Sequence, residues 1–207
     1  VPSVPADSYP LHEGDEVVWF YASSYLDTGG FREDIPVTEL KPPEVAEEVK
    51  AAILSAGRQA LFFNLNAAAA ETRAQVVQAL QERQAKIRVL LHSLAFGSLK
   101  PFITERPEDA ISQSQLEMTV DVMANSLVYW VQDLVRADLF APHGRIYAMT
   151  SAGSARAWFS YGAVSAAKSA LESHCRQLAV ELAPRGITVN AIRAGVTDTP
   201  ALRKIPG

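Results

Sequence analysis

Short apolar segments alternate along this chain with longer segments of helical periodicity. The apolar segments are EVVWFY (16–21), ALFFNL (60–65), IRVLLH (87–92), RIYAMT (145–150) and ITVNAI (187–192). Their β-branched and aromatic residues favour strands, and their continuous apolar character indicates burial on both faces. Strands that alternate with helices form βαβ units. The sequence therefore predicts an α/β fold, with a doubly wound parallel sheet and helices on both faces.

Helices are predicted between and after these strands, over 44–56, 69–84, 113–137 and 161 to about 182. In the first, apolar residues recur every four positions and Gly57 ends the helix, while in the second Val76 and Leu80 face the core. The apolar face of the third comprises Leu116, Val120, Leu127, Val131 and Leu134. Segments 1–15 and 22–43 are rich in proline and turn residues and are predicted to be an irregular lead and a long loop.

Length and composition exclude several classes of protein. A chain of 207 residues that is 48% apolar is predicted to form a single domain over 1–207 with a substantial core. The net charge of −4, without a run of lysine or arginine, argues against nucleic acid or an anionic membrane as partner. No apolar stretch approaches the roughly 18 residues of a membrane span. The acidic lead is unlike a signal peptide and Cys175 is the only cysteine, so a cytoplasmic location is expected.

Small and polar residues follow the carboxyl ends of the predicted strands. In an open parallel sheet, ligands bind along this edge. The segments that follow four of the strands are Asn64 to Asn66, Ser93 to Gly97, Ser151 to Gly153 and Ala194 to Thr199. Their small side chains and free amides can approach an extended ligand, so we expect the functional site in this crevice.

Tyr161 and Lys168 stand seven residues apart at the start of the last predicted helix. Seven residues are nearly two helical turns, so both side chains point in the same direction. Such a pair can be an ordinary helix start with an exposed lysine. It can also be a phenol whose acidity is raised by a neighbouring cation, which suits proton donation. Because this helix follows a predicted strand, the pair flanks the same edge of the sheet.

Residues 144–202 resemble the C-terminal half of the short-chain dehydrogenases/reductases, and the resemblance extends over roughly 44–205, which implies a Rossmann-like fold. Within that superfamily, Tyr161-x6-Lys168, HSLAFG (92–97) and VNAIRAGVTDT (189–199) are similar to the enoyl-acyl carrier protein reductases. Ketone-reducing members carry Tyr-x3-Lys instead, but Val164 stands four residues before Lys168. The helix asparagine of those members would fall at about Met123, with Asn125 two positions away.

The resemblance implies reduction of the 2,3-double bond of an enoyl thioester, carried by acyl carrier protein or CoA, with NADH or NADPH. Tyr161 would stabilise the developing enolate, Lys168 would bind the nicotinamide ribose, and Ser151 would face the substrate. The candidate cofactor-binding residues are Asn64, Leu65, Ser93, Leu94, Ala95, Lys168, Gly195, Thr197 and Thr199. A homo-oligomer, dimer or tetramer, that pairs through the helices at 113–137 and 161–183 is also expected. The alternatives are a carbonyl reductase and a non-catalytic scaffold.

Three family features have no counterpart in the sequence. The family opens with a strand and a Thr-Gly-x3-Gly-x-Gly turn that binds the cofactor pyrophosphate, and none of the 11 glycines has that spacing. The segment EVVWFY resembles the second strand of the family, and the last strand has no counterpart either. The chain is therefore expected to be shortened at both ends. Because the first strand is normally central, its loss is expected to leave a gap in the sheet.

Two candidate residues also have a purely structural interpretation. Ser151 can cap the turn that follows its strand. His92 ends a strand, and the other histidines, at 12, 143 and 174, are scattered without metal-ligand spacing, so His92 is interpreted as a structural residue and no metal site is predicted.

Overall fold

A computed structural model describes residues 17–19, 26–27, 50–63 and 65–195 of the chain. Its strands are β1 (Val17–Trp19), β2 (Leu26–Asp27), β3 (Ala60–Phe62), β4 (Ile87–His92), β5 (Gly97–Ser98), β6 (Phe140–Thr150) and β7 (Thr188–Arg193). Each of the five predicted strands is therefore present, with β6 beginning earlier than predicted. The two-residue strands β2 and β5 were not predicted, and β2 lies in the segment predicted to be a loop.

Every strand pairing in the described residues is parallel, as predicted. β6 is central between β4 and β7, with Ile146 opposite Leu90 on one side and Val189 on the other. β1 pairs with β3, and β2 pairs with β5, in two further sheets. Among the described strands neither β1 nor β3 pairs with β4, so the sheet is divided, which agrees with the expected gap.

Within the described residues the helices lie at the predicted positions, and residues 44–49, where the first helix was predicted to begin, lie outside the described part of the chain. They are α1, described over 50–55, α2 (Ala70–Glu82), α3 (Gln113–Val120), α4 (Ser126–Arg136) and α5 (Gly162–Leu182). The helix predicted over 113–137 is helical over 113–136, but a π-helical turn at Asp121–Asn125, which was not predicted, divides it into α3 and α4. In that turn the amide of Ser126 bonds to the carbonyl of Asp121, five residues earlier.

The π-turn changes which side chains face the core. Beyond the turn, Leu127, Val131 and Leu134 are buried as predicted. Before the turn, Leu116 and Val120 are only partly buried. A turn that encloses one more residue than an α-helical turn shifts the apolar pattern, so a single helical period cannot fit both sides of it.

The main core lies between one face of the β4–β6–β7 sheet and helices α2, α4 and α5. Leu90, Ile146 and Val189 contribute from the three strands, and side chains of α4 such as Leu127 pack against them. Side chains alternate between the faces of a strand. Accordingly, Val89 is 52% exposed on the opposite face of the sheet. In the described part of the chain no helix is long and apolar enough to cross a membrane.

Candidate active site

The first two turns of α5 bring the predicted tyrosine and lysine to the edge of the sheet. Tyr161 is the residue that precedes Gly162 at the helix start, and Lys168 follows in the second turn. Both are buried, with 9% of Tyr161 and 5% of Lys168 exposed. This burial rules out the interpretation of Lys168 as an exposed surface lysine.

The ring of Tyr161 is held from several sides. It packs into a small apolar cluster with Leu99 and Met123, and Trp158 meets it edge to face at 5.6 Å between ring centroids. On another side lies Gly153, where a Cβ atom would stand 2.4 Å from Cε1 of the tyrosine. The ring therefore has one fixed position, and among the described residues no hydrogen bond occupies its hydroxyl.

The amine of Lys168 sits between the carboxyl ends of β4 and β6. Its Nζ donates to the carbonyl oxygen of Met149 at 2.7 Å, and the carbonyl of Leu94 lies at 3.5 Å, the outer limit of a hydrogen bond. Burial lowers the pKa of Lys168 to about 8. The ammonium form still predominates at pH 7, so a positive charge stands at the edge where ligands of open parallel sheets bind.

A tight turn after β6 connects the sheet to α5. Ser151 precedes the 3-10 turn Ala152–Ser154, and its hydroxyl oxygen accepts the amide hydrogen of Gly153 at 3.2 Å. The hydroxyl of Ser165 on α5 donates to the carbonyl of Gly153. Ser151 therefore has the capping contact that its structural interpretation predicts, and its role toward a substrate stays a prediction.

A polar network fixes the other side of this turn. Thr150 donates to Glu172 Oε1 at 2.8 Å, and Arg193 at the end of β7 donates to the same oxygen at 3.3 Å and to Ser154 Oγ at 3.1 Å. Burial raises the pKa of the Glu172 carboxyl, but hydrogen bonds from Ser154, Thr150 and Arg193 outweigh it and leave the pKa below its usual value. The network ties β6, β7 and α5 together beside the candidate site. The sequence analysis missed it because its members are far apart in the chain.

Behind the lysine lies a buried histidine. His92 Nε2 is 2.8 Å from Ser126 Oγ, and this hydroxyl donates to the carbonyl of Val122 in the π-turn at 2.6 Å. Burial and the charge of Lys168 lower the pKa of His92 to about 3. The contact with Ser126 agrees with a structural histidine, and no group of three His, Cys, Asp or Glu side chains that could hold a metal occurs in the described ranges.

The predicted cofactor residues fall into three groups: those near Lys168, those exposed elsewhere in the chain, and those outside the described residues. Ser93, Leu94 and Ala95 follow β4 directly, and the Leu94 carbonyl contacts the lysine. Leu65 and Gly195 are exposed at other points of the chain. Asn64, Thr197 and Thr199 lie outside the described residues. These assignments remain predictions.

The residues at the positions of the ketone-reducing motif have other roles. Val164, four residues before Lys168, is 2% exposed within the apolar cluster around Tyr161. Met123 is equally buried. Asn125 is engaged by His174 at 3.0 Å and by Asp121 at 3.4 Å. Within the described part of the chain, a buried valine therefore stands at the ketone-reducing tyrosine position, and the asparagine nearest the other position is engaged by two side chains.

Comparison with known proteins finds a matching family model and several similar curated proteins. A family model described as enoyl-(acyl carrier protein) reductase matches residues 33–207. The NADH enoyl-[acyl-carrier-protein] reductase 1 of Rhizobium meliloti is 36% identical over 127 residues, which are 61% of this chain and 45% of that protein. The 1-cyclohexenylcarbonyl-CoA reductase of Streptomyces collinus is 27% identical over 168 residues, 81% of this chain and 57% of that protein. The chain thus spans about half the length of these relatives.

A solved structure supports the fold. The crystal structure of the enoyl-[acyl-carrier-protein] reductase (NADH) from Aquifex aeolicus superposes with a TM-score of 0.64 at 24% identity. The match covers 77% of this chain and 62% of that one. At this identity the likeness shows a shared Rossmann-like architecture.

Proposed function

Because the chain belongs to the enoyl-(acyl carrier protein) reductase family, a group within the short-chain dehydrogenases/reductases, we propose that it reduces the 2,3-double bond of an enoyl thioester with NADH or NADPH. The observation that carries this proposal is the burial of Tyr161 and Lys168 together at the start of α5, with Val164 buried where ketone-reducing members place their tyrosine. The names of the relatives add support, since an NADH enoyl reductase and a cyclohexenylcarbonyl-CoA reductase are both among them.

The described residues fit the nicotinamide end of such a cofactor. A buried ammonium at the carboxyl ends of β4 and β6 can donate to ribose hydroxyls, and the segment of Ser93, Leu94 and Ala95 lies alongside it. The glycine-rich turn that would bind the pyrophosphate has no match among the 11 glycines. Gly195, and the segment with Thr197 and Thr199, are our candidates for the carboxamide and phosphate contacts. A bound nicotinamide supplies the hydride for the reaction.

Tyr161 acts on the substrate in this proposal. Reduction at the β-carbon places negative charge on the thioester oxygen. The Tyr161 hydroxyl has no hydrogen-bond partner among the described residues and can donate to this oxygen. The ring is fixed by Trp158 and by its close approach to Gly153. The donor is therefore oriented before the charge develops, which is the condition for strong electrostatic stabilisation of a transition state.

Lys168 holds the ribose and supplies a fixed positive charge. Its bond to the Met149 carbonyl keeps the amine at the strand ends. Burial of the side chain increases the strength of its electrostatic interactions, because the surrounding dielectric is lower than that of water. The positive charge favours the negatively charged enolate.

The substrate carrier and the assembly are further parts of the proposal. We place the activity in fatty acid synthesis, with acyl carrier protein or CoA as the thioester carrier, and in the cytoplasm. Helices α4 and α5 are the proposed contacts of a homodimer or homotetramer, and Val180 on α5 is 72% exposed. Light scattering at micromolar concentration tests the assembly, and a strictly monomeric species would contradict it.

The central experiment measures NADH and NADPH oxidation with crotonyl-CoA, beside the shift in melting temperature that each nucleotide causes. We expect a shift with at least one nucleotide and turnover that depends on crotonyl-CoA. Acetoacetyl-CoA is the matched control substrate. Reduction of acetoacetyl-CoA alone would assign the protein to the carbonyl reductases, and a protein without a nucleotide shift or turnover would support a scaffold.

A further inference from the structure

The nitrogen of a buried histidine lacks a partner in the described part of the chain. His92 is 5% exposed, and its Nδ1 atom is buried without a hydrogen bond to any described residue. Unpartnered buried polar atoms are rare in proteins, and those that occur are generally satisfied by an ordered water. The proposed function makes no use of this side chain.

The hydrogen bonds around Ser126 fix the form of the ring. A serine hydroxyl has a single hydrogen, and that of Ser126 goes to the Val122 carbonyl at 2.6 Å. The hydroxyl oxygen can therefore only accept from His92 Nε2, at 2.8 Å. The imidazole carries its hydrogen on Nε2, and Nδ1 presents a lone pair. Burial and the charge of Lys168 lower the pKa of His92 to about 3, so the ring stays neutral at pH 7.

The Lys168 ammonium has more N–H groups than it has short hydrogen bonds to described residues. An ammonium has three N–H groups. Only the bond from Lys168 to Met149 is short, and the contact with Leu94, two residues beyond His92, is at the outer limit of hydrogen bonding. Two N–H groups can therefore reach other acceptors, of which the ribose would take one under the proposed function.

We propose that His92 is a positioning residue for Lys168: the ammonium donates to one buried water, and this water donates to His92 Nδ1. The chain of contacts then runs from the π-turn carbonyl of Val122 through Ser126, His92 and the water to the lysine. It would hold the amine and favour its charged form. The inference rests on the proposed function only for its consequence in catalysis.

Other ionisable groups lie on α5 and on the elements packed against it. At the start of α5 and along it, these are Tyr161, Glu172, His174, Cys175, Arg176 and Glu181. On the elements packed against α5 they are Glu117, Asp121, Tyr129, Asp133, Arg136, His143, Arg145, Tyr147, Arg185 and Arg193. Glu172 is bonded to Thr150 and Arg193, and Asp121 to Tyr129. Burial is the cause of the lowered pKa of Lys168, and His92 is the titratable side chain that its charge affects.

The first test determines the tautomer in the full chain. Nitrogen-15 NMR of histidine-labelled protein at pH 7 should show one ring with hydrogen on Nε2 and an unprotonated, hydrogen-bonded Nδ1, and this signal should be missing from His92→Phe. A ring that carries its hydrogen on Nδ1, or a His92 that protonates near pH 6.5, would overturn the proposal. If His92→Phe folds poorly, the NMR signal of the His92 ring can be assigned with His92→Gln instead.

The second test follows the pKa of Lys168 by carbon-13 NMR of its Cε atom. Loss of an acceptor destabilises the charged form, so His92→Phe should lower the pKa of Lys168 by about one pH unit. An amide offers a donor for Ser126 and an acceptor for the water, so His92→Gln should restore most of the shift. His174→Phe is the matched control, because His174 contacts the same π-turn through Asn125 and should leave the lysine unchanged.

These outcomes separate the inference from the proposed function. Neither NMR measurement requires substrate or nucleotide, so a protein inactive on crotonyl-CoA can still show the predicted tautomer and pKa change. Equal lysine pKa values in the wild type and His92→Phe would refute the water-mediated contact even if the enzyme is an enoyl reductase. A lowered pKa in His174→Phe of the same size would assign the effect to the π-turn and refute the role of His92.

Discussion

The two long helical regions of this chain differ in regularity. α5 runs from Gly162 to Leu182 without interruption, whereas α3 and α4 are separated by the π-turn at Asp121–Asn125. α5 packs against that turn, and Ala167 and Val164 of α5 share a buried cluster with Met123 of the turn. A regular α-helix therefore lies against a helical region that is widened by a π-turn.

The difference suggests a division of roles. The regular helix carries Tyr161 and Lys168, whose relative placement depends on an undistorted helical spacing. The widened helix supplies supporting contacts: Ser126 bonds His92 and the Val122 carbonyl, and Tyr129 donates to Asp121 at 2.9 Å. We expect substitutions in α5 to affect catalysis first and substitutions around the π-turn to affect stability first.

The largest expected effect is the loss of turnover when the Tyr161 hydroxyl is removed, compared with removal of the Tyr129 hydroxyl. Tyr161→Phe should lower kcat on crotonyl-CoA by about 10²–10³-fold, the usual loss for one oxyanion donor, with nucleotide affinity nearly unchanged. Lys168→Ala should reduce both. Tyr129→Phe, the matched change beside the π-turn, should keep its activity and lose about 1 kcal/mol of stability. Steady-state kinetics and nucleotide titration measure these effects. Wild-type turnover by Tyr161→Phe would contradict the proposed role of Tyr161 in catalysis.

The next prediction compares leucines on the two sides of the π-turn. Leu127→Ala should destabilise the fold by about 2–5 kcal/mol, because Leu127 is completely buried in the main core. Leu116→Ala should cost clearly less, since that side chain is only partly buried. Urea denaturation gives both values. Equal losses would mean that the apolar face continues through the turn.

A pair of glycines tests how tightly Tyr161 is held. In Gly153→Ala the new Cβ would stand 2.4 Å from the buried tyrosine ring, and such overpacking costs about 1–3 kcal/mol. In Gly162→Ala the Cβ would meet the Phe102 ring at 2.5 Å, but Phe102 is 51% exposed and can turn aside. We expect Gly162→Ala to be near neutral in thermal unfolding. Comparable losses in both variants would show that Tyr161 is no more constrained than Phe102.

The last expected effect is a pH dependence, whose size for one pH unit is modest. The pKa of His92 is about 3 in the folded protein and near 6.5 when unfolded, so the unfolded state binds more protons between these values. The stability contributed by the neutral ring is complete above pH 6.5 and falls by about 1 kcal/mol per pH unit as the pH decreases toward 3. Urea midpoints at pH 6.5, 5.5 and 4.5 should decline more steeply for the wild type than for His92→Phe. Parallel declines would contradict a buried neutral His92.

The elements that follow local chemistry could be predicted from the sequence. The strand at 87–92 is observed with the same bounds, because four of the six residues of IRVLLH are apolar and two of these, Ile87 and Val89, are β-branched. By contrast, β6 begins at Phe140, and Ala-Pro-His-Gly at 141–144 carries no strand signal. Its pairing with β4 includes a register shift between Ile87 and Val89. That extension depends on the partner strand, which a single segment does not reveal.

The candidate site, too, could be predicted from the sequence only in part. The spacing of Tyr161 and Lys168 was sufficient to expect them on one side of a helix at the sheet edge. The acceptors of the lysine are carbonyls of Leu94 and Met149, and backbone groups leave no trace in side-chain patterns. In the sequence, nothing distinguishes Gly153 from the other small residues that follow the strand. Its contact with the tyrosine ring exists only once the turn folds back on α5.

The π-turn also affects how this chain should be compared with other sequences. A ring closed from Ser126 to Asp121 contains one residue more than an α-helical ring, so the turn has the same geometric effect as an inserted residue. Residues after Asn125 are therefore out of phase by one position with those before Asp121. A relative that lacks the turn should be aligned with a single gap between 121 and 125. Without that gap, the equivalent of Met123 or Asn125 would be assigned to the wrong position.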